Sequence, residues 1–536
     1  MSTQVAPTGL AEVGHEWKAA LAHRSAPHRS AALWALAGLT AAGVAVRFST
    51  LGLQSYHHDE VITAMRVIPG SFDHMLREVK RSESNPPLYY VLAWGWAKVF
   101  GTGEVGLRSL SALFGAATVP VGYLIGRQLA TRRVGLILAA LLAFNPMLIW
   151  YSQEARSYAL LVFFAALSLY FFVKVLDTRR GRDLAFWAVA SALALCSHYF
   201  AFFAVGVEAA WLLVALRSSW RLVLPAIGAV LATGLALLPL VAAQVNPNHI
   251  GWIEQSPLSH RLFETGVSFL IGETGWVVAE PPRDRYALVP VVVFAAGLLL
   301  VLVRGSYRER RGASVGAVIG LGVIGLSSLA ALVGKDYVVE RNLLPALIPL
   351  AVAGAIGFGT SGARRVGLLL ALSLCTYWLA FDVYVTQTPN LQRPDYRTLS
   401  QELGRPSGRR AIVTWRLAAD PVQWYLRDHA VRMFGGVERV SEVDVVSKPL
   451  ATAAPANLPA SFHAVQRLRL DRLTLTHYRS RYPMPIWFHT LRDLPTGFGK
   501  DAVVLDGPRP KPAAARSAPR AAVAPRVAIS PRVVAR

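Results

Sequence analysis

The 536-residue chain has few charged residues, fewer acids than bases and almost no cysteine. Only 16% of its residues are Asp, Glu, Lys or Arg, while 54% are hydrophobic. This balance excludes an ordinary soluble protein of this length. The 32 acids are outnumbered by 55 lysines and arginines, which gives a formal net charge of +23. Cys196 and Cys375 both lie in apolar segments, so neither a disulfide nor a thiol-based metal site is expected.

Long apolar stretches recur along the chain, each near the length of about 20 residues that a helix needs to cross a bilayer. The first follows a polar N-terminal segment, and no cleavage site of small residues comes after it, so no removable signal peptide is predicted. We predict a polytopic α-helical membrane protein with about eleven transmembrane helices. The predicted spans lie near residues 31–50, 107–127, 133–150, 156–175, 184–198, 200–217, 221–243, 286–304, 313–333, 343–360 and 365–385.

Lysines and arginines concentrate in every second short loop between these spans. The basic loops cover residues 127–133, 174–182, 217–221, 304–311 and 364–365. Loops of this kind stay in the cytoplasm, so the N-terminal segment 1–30 is predicted there and the long loop 51–106 outside. Membrane orientation and anionic headgroups then explain the positive charge better than nucleic acid does.

The apolar run 86–100 is predicted to be an amphipathic helix on the outer membrane surface rather than a further span. It is short and begins with Pro86-Pro87. One more crossing there would also place the basic loops on alternating sides of the membrane.

The composition changes near residue 386, where charges and prolines replace the apolar runs. Residues 411–415, 463–470 and 502–505 have strand-like patterns, and residues 399–403 and 421–426 have helical ones. We therefore predict a transmembrane domain over 31–385 and a small extracytoplasmic α/β domain over 386–507. Residues 508–536 are rich in Pro, Ala and Arg and contain no acid, which predicts a disordered basic tail that contacts anionic lipid or polysaccharide.

The predicted outer face collects acids, arginines and aromatic residues that the inner face lacks. Carboxylates there can accept a proton or bind a metal, and arginines can hold a phosphate through paired hydrogen bonds. Such a set suits a lipid-phosphate donor that is attacked by a polar acceptor at the membrane surface. The outer segments are Tyr56 to Glu60, Glu83 to Tyr90, Arg108, Trp150 to Tyr158, His198-Tyr199 and Lys335 to Asn342.

These motifs resemble those of the GT-C glycosyltransferases of the protein O-mannosyltransferase and ArnT-like aminoarabinose-transferase type. This group is glycosyltransferase family 39 together with the RgtA/B/C/D-like proteins. The resemblance covers most of residues 31–360 and depends on the order and spacing of several short motifs. They are His58-Asp59-Glu60, Asn85 to Tyr90, Gly106 to Leu113, Tyr123 to Arg127, Asn145-Pro146, Ser152 to Tyr158 and Glu340 to Leu347.

The resemblance implies an inverting transfer of a hexose or pentose from a polyprenyl-phosphate donor in a bacterial inner membrane. The acceptor would be an extracytoplasmic glycolipid, polysaccharide or protein. Asp59 would be the general base, Glu60 would help to place the acceptor, and Glu154 would be a second catalytic acid. The donor phosphate would be bound by Arg108, Arg156, Arg341 and Lys335. The substrate pocket would be lined by His58, Asn85, Tyr89, Tyr158, His198 and Tyr199.

No cofactor is assigned from the sequence, and whether a divalent cation takes part stays open. The expected partners are the lipid-linked donor, the acceptor and membrane lipids, without nucleic acid. A secondary transporter or lipid flippase is the main alternative hypothesis, although Glu208 stands almost alone as an acid within the predicted spans and the polar clusters lie at one end. A non-catalytic subunit of polysaccharide assembly is a third hypothesis.

Overall fold

A computed structural model describes residues 30–245, 253–273, 284–427, 430–448, 458–471, 473–494, 496 and 501–507. The predictions of a cytoplasmic N-terminal segment and of a basic tail after residue 507 lie outside the described residues, apart from Ser30. Everything reported below concerns the described parts of the chain.

Most of the described chain is helical as far as residue 387. The helices are α1 Ser30–Phe48, α2 His58–Ile62, α3 Phe72–Ser82, α4 Leu88–Phe100, α5 Glu104–Leu129, α6 Arg132–Phe144, α7 Pro146–Ser152, α8 Tyr158–Thr178, α9 Gly181–Ser197, α10 Ala201–Ala215, α11 Trp220–Gln244, α12 Leu258–Ile271, α13 Asp284–Arg304, α14 Tyr307–Leu332, α15 Leu344–Gly359 and α16 Arg364–Gln387. A π-helical turn, Thr63–Val67, continues α2.

Eight of these described helices are long and apolar enough to cross a membrane, namely α1, α5, α8, α11 and α13 to α16. The pair α6 and α7 adds a ninth if it forms one bent span, and α10 is apolar but shorter. The chain is therefore a multi-pass membrane protein. Each predicted apolar segment coincides with a helix or a helix pair, while the exact number of crossings stays a prediction.

The prediction of one continuous helix over residues 133–150 is wrong, because the chain bends by 56° between α6 and α7. Pro146 has no N–H, and the Asn145 side chain caps α7 by accepting from the Leu148 backbone nitrogen at 3.1 Å. The buried Arg47 guanidinium donates to the carbonyl oxygens of Leu142 and Ala143, both at 2.8 Å. A break at membrane depth is tolerated because these freed carbonyls find donors inside the protein.

Helices α13 and α15 approach each other closely at a pair of glycines. A Cβ atom placed on Gly357 would lie 2.2 Å from the backbone oxygen of Gly297. Small residues let the backbones of membrane helices approach each other closely. In a membrane such van der Waals packing takes the place of the hydrophobic driving force. The nearby Phe358 side chain is fully buried in the central core of the bundle.

The region after residue 395 forms a six-stranded sheet with helices on it. Helices α17 Tyr396–Leu403, α18 Ala419–Leu426 and α19 Phe488–Arg492 accompany strands β1 Arg410–Trp415, β2 Ala430–Met433, β3 Val437–Ser447, β4 His463–Leu470, β5 Leu473–Trp487 and β6 Asp501–Asp506. The strand order is β2-β6-β1-β3-β5-β4, and β1 and β3 are parallel while the other neighbours are antiparallel.

Both faces of this sheet are covered, which explains the continuous apolar pattern of β1. Ile412 packs with Leu399 of α17 and Val422 of α18 on one face. Ala411 and Val413 belong to a second core on the other face. The strands predicted over 411–415, 463–470 and 502–505 are present, and so are the two predicted helices, whereas β2, β3 and β5 were not predicted.

We expect Gly357→Ala to lower the thermal stability of the purified protein, because the new methyl group meets a backbone oxygen that cannot move aside. Overpacking of this kind costs about 1–3 kcal/mol. The measurement is the Tm in detergent. Gly325→Ala in α14 is the matched control, since nothing lies within 4 Å of the added Cβ atom. Equal Tm values for the two variants would contradict the close approach of α13 and α15.

Candidate active site

The acids and arginines singled out in the sequence meet at one end of the helix bundle. Helix α2 carries Asp59 and Glu60, and the loop between α7 and α8 lies against it, where the Ala155 backbone nitrogen donates to Glu60 at 2.9 Å. A 3₁₀ turn, Glu340–Leu343, precedes α15 and brings Arg341 to Asp59. Segments far apart in sequence therefore share one site.

Glu60 and Arg108 form a fully buried ion pair, and every N–H donor of the arginine has an acceptor. The Arg108 Nε and Nη2 atoms donate to the two carboxylate oxygens of Glu60, both at 2.7 Å. Its remaining N–H groups donate to three carbonyl oxygens between residues 51 and 55, at 2.7–3.1 Å. An arginine has five N–H donors, so Arg108 keeps none for a phosphate.

Glu60 accepts more hydrogen bonds than those from Arg108. The backbone nitrogen of His57 donates to it at 3.1 Å, and Arg393 Nη1 donates at 3.0 Å. Burial would raise the pKa of Glu60, but Arg108, Arg393 and the hydrogen bonds hold it below its ordinary value. Glu60 is thus an ionised carboxylate whose oxygens are occupied by the protein itself.

Asp59 lies in a more exposed environment than Glu60. Its side chain is 28% exposed, and its carboxylate accepts no hydrogen bond from the part of the chain that the structure describes. Arg341 Nη1 lies 3.6 Å from Asp59 Oδ2. Burial would raise the pKa of Asp59, but Arg156 and Arg341 overcome this and hold it well below its usual range. Asp59 is therefore an ionised carboxylate with free acceptor positions.

Arg156 lies beneath Asp59 and is held by a second buried acid. Its Nη1 atom donates to Glu83 Oε2 at 2.6 Å, to Thr63 Oγ1 at 3.2 Å and to the Asp59 backbone oxygen at 3.4 Å. The neighbouring Nε atom is buried and has no hydrogen-bond partner among the described residues. The same holds for the hydroxyl group of Ser157. Buried donors of this kind suit an anionic ligand with several acceptor oxygens.

Aromatic and imidazole side chains close the same region. The His198 ring lies 5.6 Å from the Tyr158 ring between centroids, and both side chains are buried. Burial first, and then the charges of Arg156 and Arg341, lower the pKa of His198 to about 3. A neutral His198 beside these arginines adds a polar surface without further positive charge.

The other predicted lining residues are connected through Gln244 at the end of α11. Tyr199 donates its hydroxyl hydrogen to Gln244 Oε1 at 2.7 Å, and Gln244 Nε2 donates to the Asn85 backbone oxygen at 3.1 Å. Lys335 is exposed, and within the described ranges it forms no ion pair with any site residue. The structure therefore does not bring Lys335 into the cluster around Asp59.

The sheet region contributes directly to this end of the bundle. Asp420 of α18 is buried, with its carboxylate 3.3 Å from His58 Nδ1 and 2.5 Å from Arg66 Nη2. Tyr425 accepts from the Tyr56 backbone nitrogen and donates to Glu104, both at 2.7 Å. His58, the residue before Asp59, is thus positioned from the sheet side.

The described residues contain no group of three His, Cys, Asp or Glu side chains that could hold a metal ion. The carboxylates nearest Asp59 are already bound by arginines, so they offer few oxygens to a cation. Asp59 keeps acceptor positions that a hydrated cation could share with a substrate.

Known proteins share parts of this chain or its fold. A protein-family model for dolichyl-phosphate-mannose-protein mannosyltransferases matches residues 84–242. An uncharacterized protein of Aquifex aeolicus (strain VF5) is 30% identical over 116 residues, which is 21% of this chain and 23% of that protein. The chain thus spans about a quarter of this relative's length.

The chain is also similar to solved structures. Apo ArnT from Cupriavidus metallidurans matches with a TM-score of 0.54 and 13% identity, over 84% of this chain and 98% of ArnT. The S. cerevisiae Pmt1-Pmt2 complex bound to its sugar donor matches with a TM-score of 0.32 and 23% identity, over 40% of this chain and 32% of that chain. The ArnT match extends over nearly the whole of that protein, including its membrane helices.

The chain has the GT-C membrane fold. The segment matched by the family model runs from the loop before α4 to the end of α11 and contains Arg108, Glu154 and Arg156. The expected GT-C fold with a small C-terminal α/β region is confirmed.

In this GT-C chain the structure contradicts the phosphate-binding role predicted for Arg108, because all its donors are used within the protein. Glu60 is similarly occupied and has no oxygen open to an acceptor. The two residues form a structural pair, and donor binding by Arg156, Arg341 or Lys335 stays a prediction.

Arg393 is a site residue that the sequence did not indicate. Its Nη2 atom donates to Glu154 Oε2 at 2.5 Å, and its guanidinium lies 4.6 Å from the centre of the Trp150 ring. Burial raises the pKa of Glu154 in spite of Arg393. Arg393 follows the last span, where no motif marks it. Glu83 was also missed as a partner for Arg156, although it lies in the segment already singled out.

We expect Glu60→Gln to destabilise the purified protein much more than Asp59→Asn does. The first change leaves Arg108 buried without its countercharge, and breaking a buried pair in this way costs about 3–5 kcal/mol. The second removes only a partly exposed ion pair at 3.6 Å. The Tm of each variant in the same detergent measures the difference. A larger loss for Asp59→Asn would reverse the roles assigned to the two neighbours.

Proposed function

We propose that this GT-C protein is an inverting glycosyltransferase that moves a sugar from a polyprenyl-phosphate donor to an extracytoplasmic acceptor. The observation that carries the proposal is the environment of Asp59, an ionised and partly exposed carboxylate with no hydrogen bond from described residues and with Arg341 beside it. The family matched over residues 84–242 is that of dolichyl-phosphate-mannose-protein mannosyltransferases, which take their sugar from a dolichyl phosphate. The buried donors around Arg156 support an anionic ligand of this class.

Asp59 would act as the general base in a single displacement. The acceptor oxygen attacks the anomeric carbon while its proton passes to the Asp59 carboxylate. The bond between that carbon and the phosphate oxygen breaks, and the polyprenyl phosphate leaves with the electron pair. Attack from the face opposite the leaving phosphate inverts the configuration at the anomeric carbon. A positioned base of this kind contributes about 10²–10⁴-fold to the rate.

Arg341 and Arg156 would bind the phosphate of the donor. Both lie at the end of the bundle, where the phosphate of a membrane lipid is found, and an arginine can bind a phosphate through two parallel hydrogen bonds. Their positive charges also stabilise the negative charge that develops on the leaving phosphate. Glu154, held by Arg393, would then support this region as a buried acid beside Trp150.

The site would face the outside of a bacterial inner membrane. The basic loops after α5, α8 and α10, and those that separate α13 from α14 and α15 from α16, lie at the opposite end of the bundle, which the positive-inside rule places in the cytoplasm. The acceptor would then be a glycolipid, a polysaccharide or a protein outside the cytoplasm, approaching from the side of the sheet region.

We expect Asp59→Asn to lower kcat for sugar transfer by about 10²–10⁴-fold, because the amide cannot accept the acceptor proton. The measurement is transfer of labelled sugar from polyprenyl phosphate in proteoliposomes. Glu402→Gln, an exposed acid of α17, is the control for loss of one negative charge. Undiminished transfer by Asp59→Asn would remove the base from the proposal. Movement of labelled lipid without a covalent product would favour a transporter instead.

We expect the acid limb of kcat/KM to shift to higher pH in Arg341→Gln. Asp59 acts as a base only when ionised, and its lowered pKa keeps it ionised until the pH falls below the ordinary value of 3.8. Removing the Arg341 charge raises the pKa of Asp59, so activity is lost earlier as the pH falls. A pH profile measures this shift, with Arg310→Gln at the far end as control. An unchanged limb would contradict the coupling of Arg341 to Asp59.

A further inference from the structure

A cavity lies at the end of the bundle opposite Asp59. Its volume is about 230 Å³, and three helices and the turn after α10 surround it. Its lining residues are Leu176, Arg179, Trp211, Ala215, Leu216, Arg311, Ser314 and Val315. It is too large for a single water and combines an apolar wall with two arginines.

The direction of the three helices fixes this location. Helix α8 starts beside the candidate active site at Tyr158 and ends at Thr178, one residue before Arg179. Helix α10 starts next to His198 and ends at Ala215. Helix α14 runs the other way, so that Arg311 lies in its first turns and its last residue precedes the loop of Lys335. The cavity therefore opens at the membrane boundary away from the sugar-transfer site.

The two arginines of this cavity are not neutralised by the acids nearby. The Asp177 carboxylate accepts from Gln128 Nε2 at 2.7 Å, and Asp183 pairs with Lys174 Nζ at 2.9 Å. Over the described ranges, neither Arg179 nor Arg311 has an acidic oxygen within the 4 Å that defines an ion pair here. The cavity thus has a positive charge without an internal counterion.

Arg179 is the C-cap residue that ends α8. It adopts a left-handed conformation with φ of 52°, uncommon for a residue with a side chain, and its N–H donates to the Val175 carbonyl oxygen at 2.8 Å. Trp211 contributes an aromatic ring, a residue type enriched at membrane boundaries. An exposed cationic side chain therefore lies beside an amphipathic aromatic wall.

We propose that this cavity binds the headgroup phosphate of an anionic membrane phospholipid. Arg179 and Arg311 donate to the phosphodiester oxygens, and the start of the acyl chains lies against Leu176, Trp211 and Leu216. Basic pockets between transmembrane helices bind anionic headgroups in this way. The apolar wall favours a lipid over a free phosphate, which has no chain to cover it. The site is separate from donor binding, because it lies at the other end of α8.

The test is native mass spectrometry of the full-length protein in a neutral detergent, titrated with dioleoyl phosphatidylglycerol or dioleoyl phosphatidylcholine. The wild-type protein should retain phosphatidylglycerol preferentially. The double variant Arg179→Gln/Arg311→Gln should bind it at least about tenfold more weakly, the size expected for a lost charge-assisted hydrogen bond. Arg308→Gln/Arg310→Gln is the matched control, since it removes the same charge from exposed positions in the same turn of α14.

Equal weakening in both double variants would mean that net charge alone attracts the lipid, and it would overturn the proposed site. So would unchanged binding after the cavity substitutions. Inorganic phosphate provides the third arm. If it displaces phosphatidylglycerol at comparable concentration, the cavity binds a free phosphate and the lipid assignment is wrong. Loss confined to the cavity variant, without competition from inorganic phosphate, supports the proposal.

Discussion

The buried pair of Glu60 and Arg108 is the interaction on which this end of the molecule depends. Removing two charges from water costs several kcal/mol per ion, and the pair can be stable only if hydrogen bonds satisfy the remaining atoms. Here the carbonyls of residues 51–55, the Ala155 nitrogen and Arg393 supply them. Because these partners come from the first loop, the loop before α8 and the segment after α16, one ion pair fixes three parts of the chain together.

This rigidity explains why two adjacent acids have different properties. Glu60 is directed into the pair and is saturated, whereas Asp59 faces the partly exposed side with free acceptor positions. Arg156 connects Asp59 to a further buried acid, since it donates to the backbone of Asp59 and to Glu83. Because Glu60 is anchored by several hydrogen bonds, it holds the neighbouring Asp59 in place.

The sequence predicted which residues lie together at this end of the bundle better than it predicted their partners. Asp59, Glu60 and Arg108 were all found from short motifs, but an arginine in the first turns of a helix has the same local pattern whether it binds a ligand or a buried acid. Arg393 lies 333 residues from Glu60 along the chain, so no local pattern could connect them. The helix positions followed from apolar length. Strand β5 was missed since it contains Pro483 and Pro485, which ordinarily argue against a strand.

Composition alone predicted a boundary between the membrane helices and the sheet region. The contacts of the sheet region show that the two are nevertheless joined by buried ion pairs. Asp420 is 1% exposed, and three cationic or ionisable groups surround it: Arg66 and His58 from the first loop and Arg432 from β2. A carboxylate so desolvated would be costly without the two partners from the membrane side. We infer that the change in composition near residue 386 marks a change from lipid to water, while folding couples the sheet to the loop that carries Asp59.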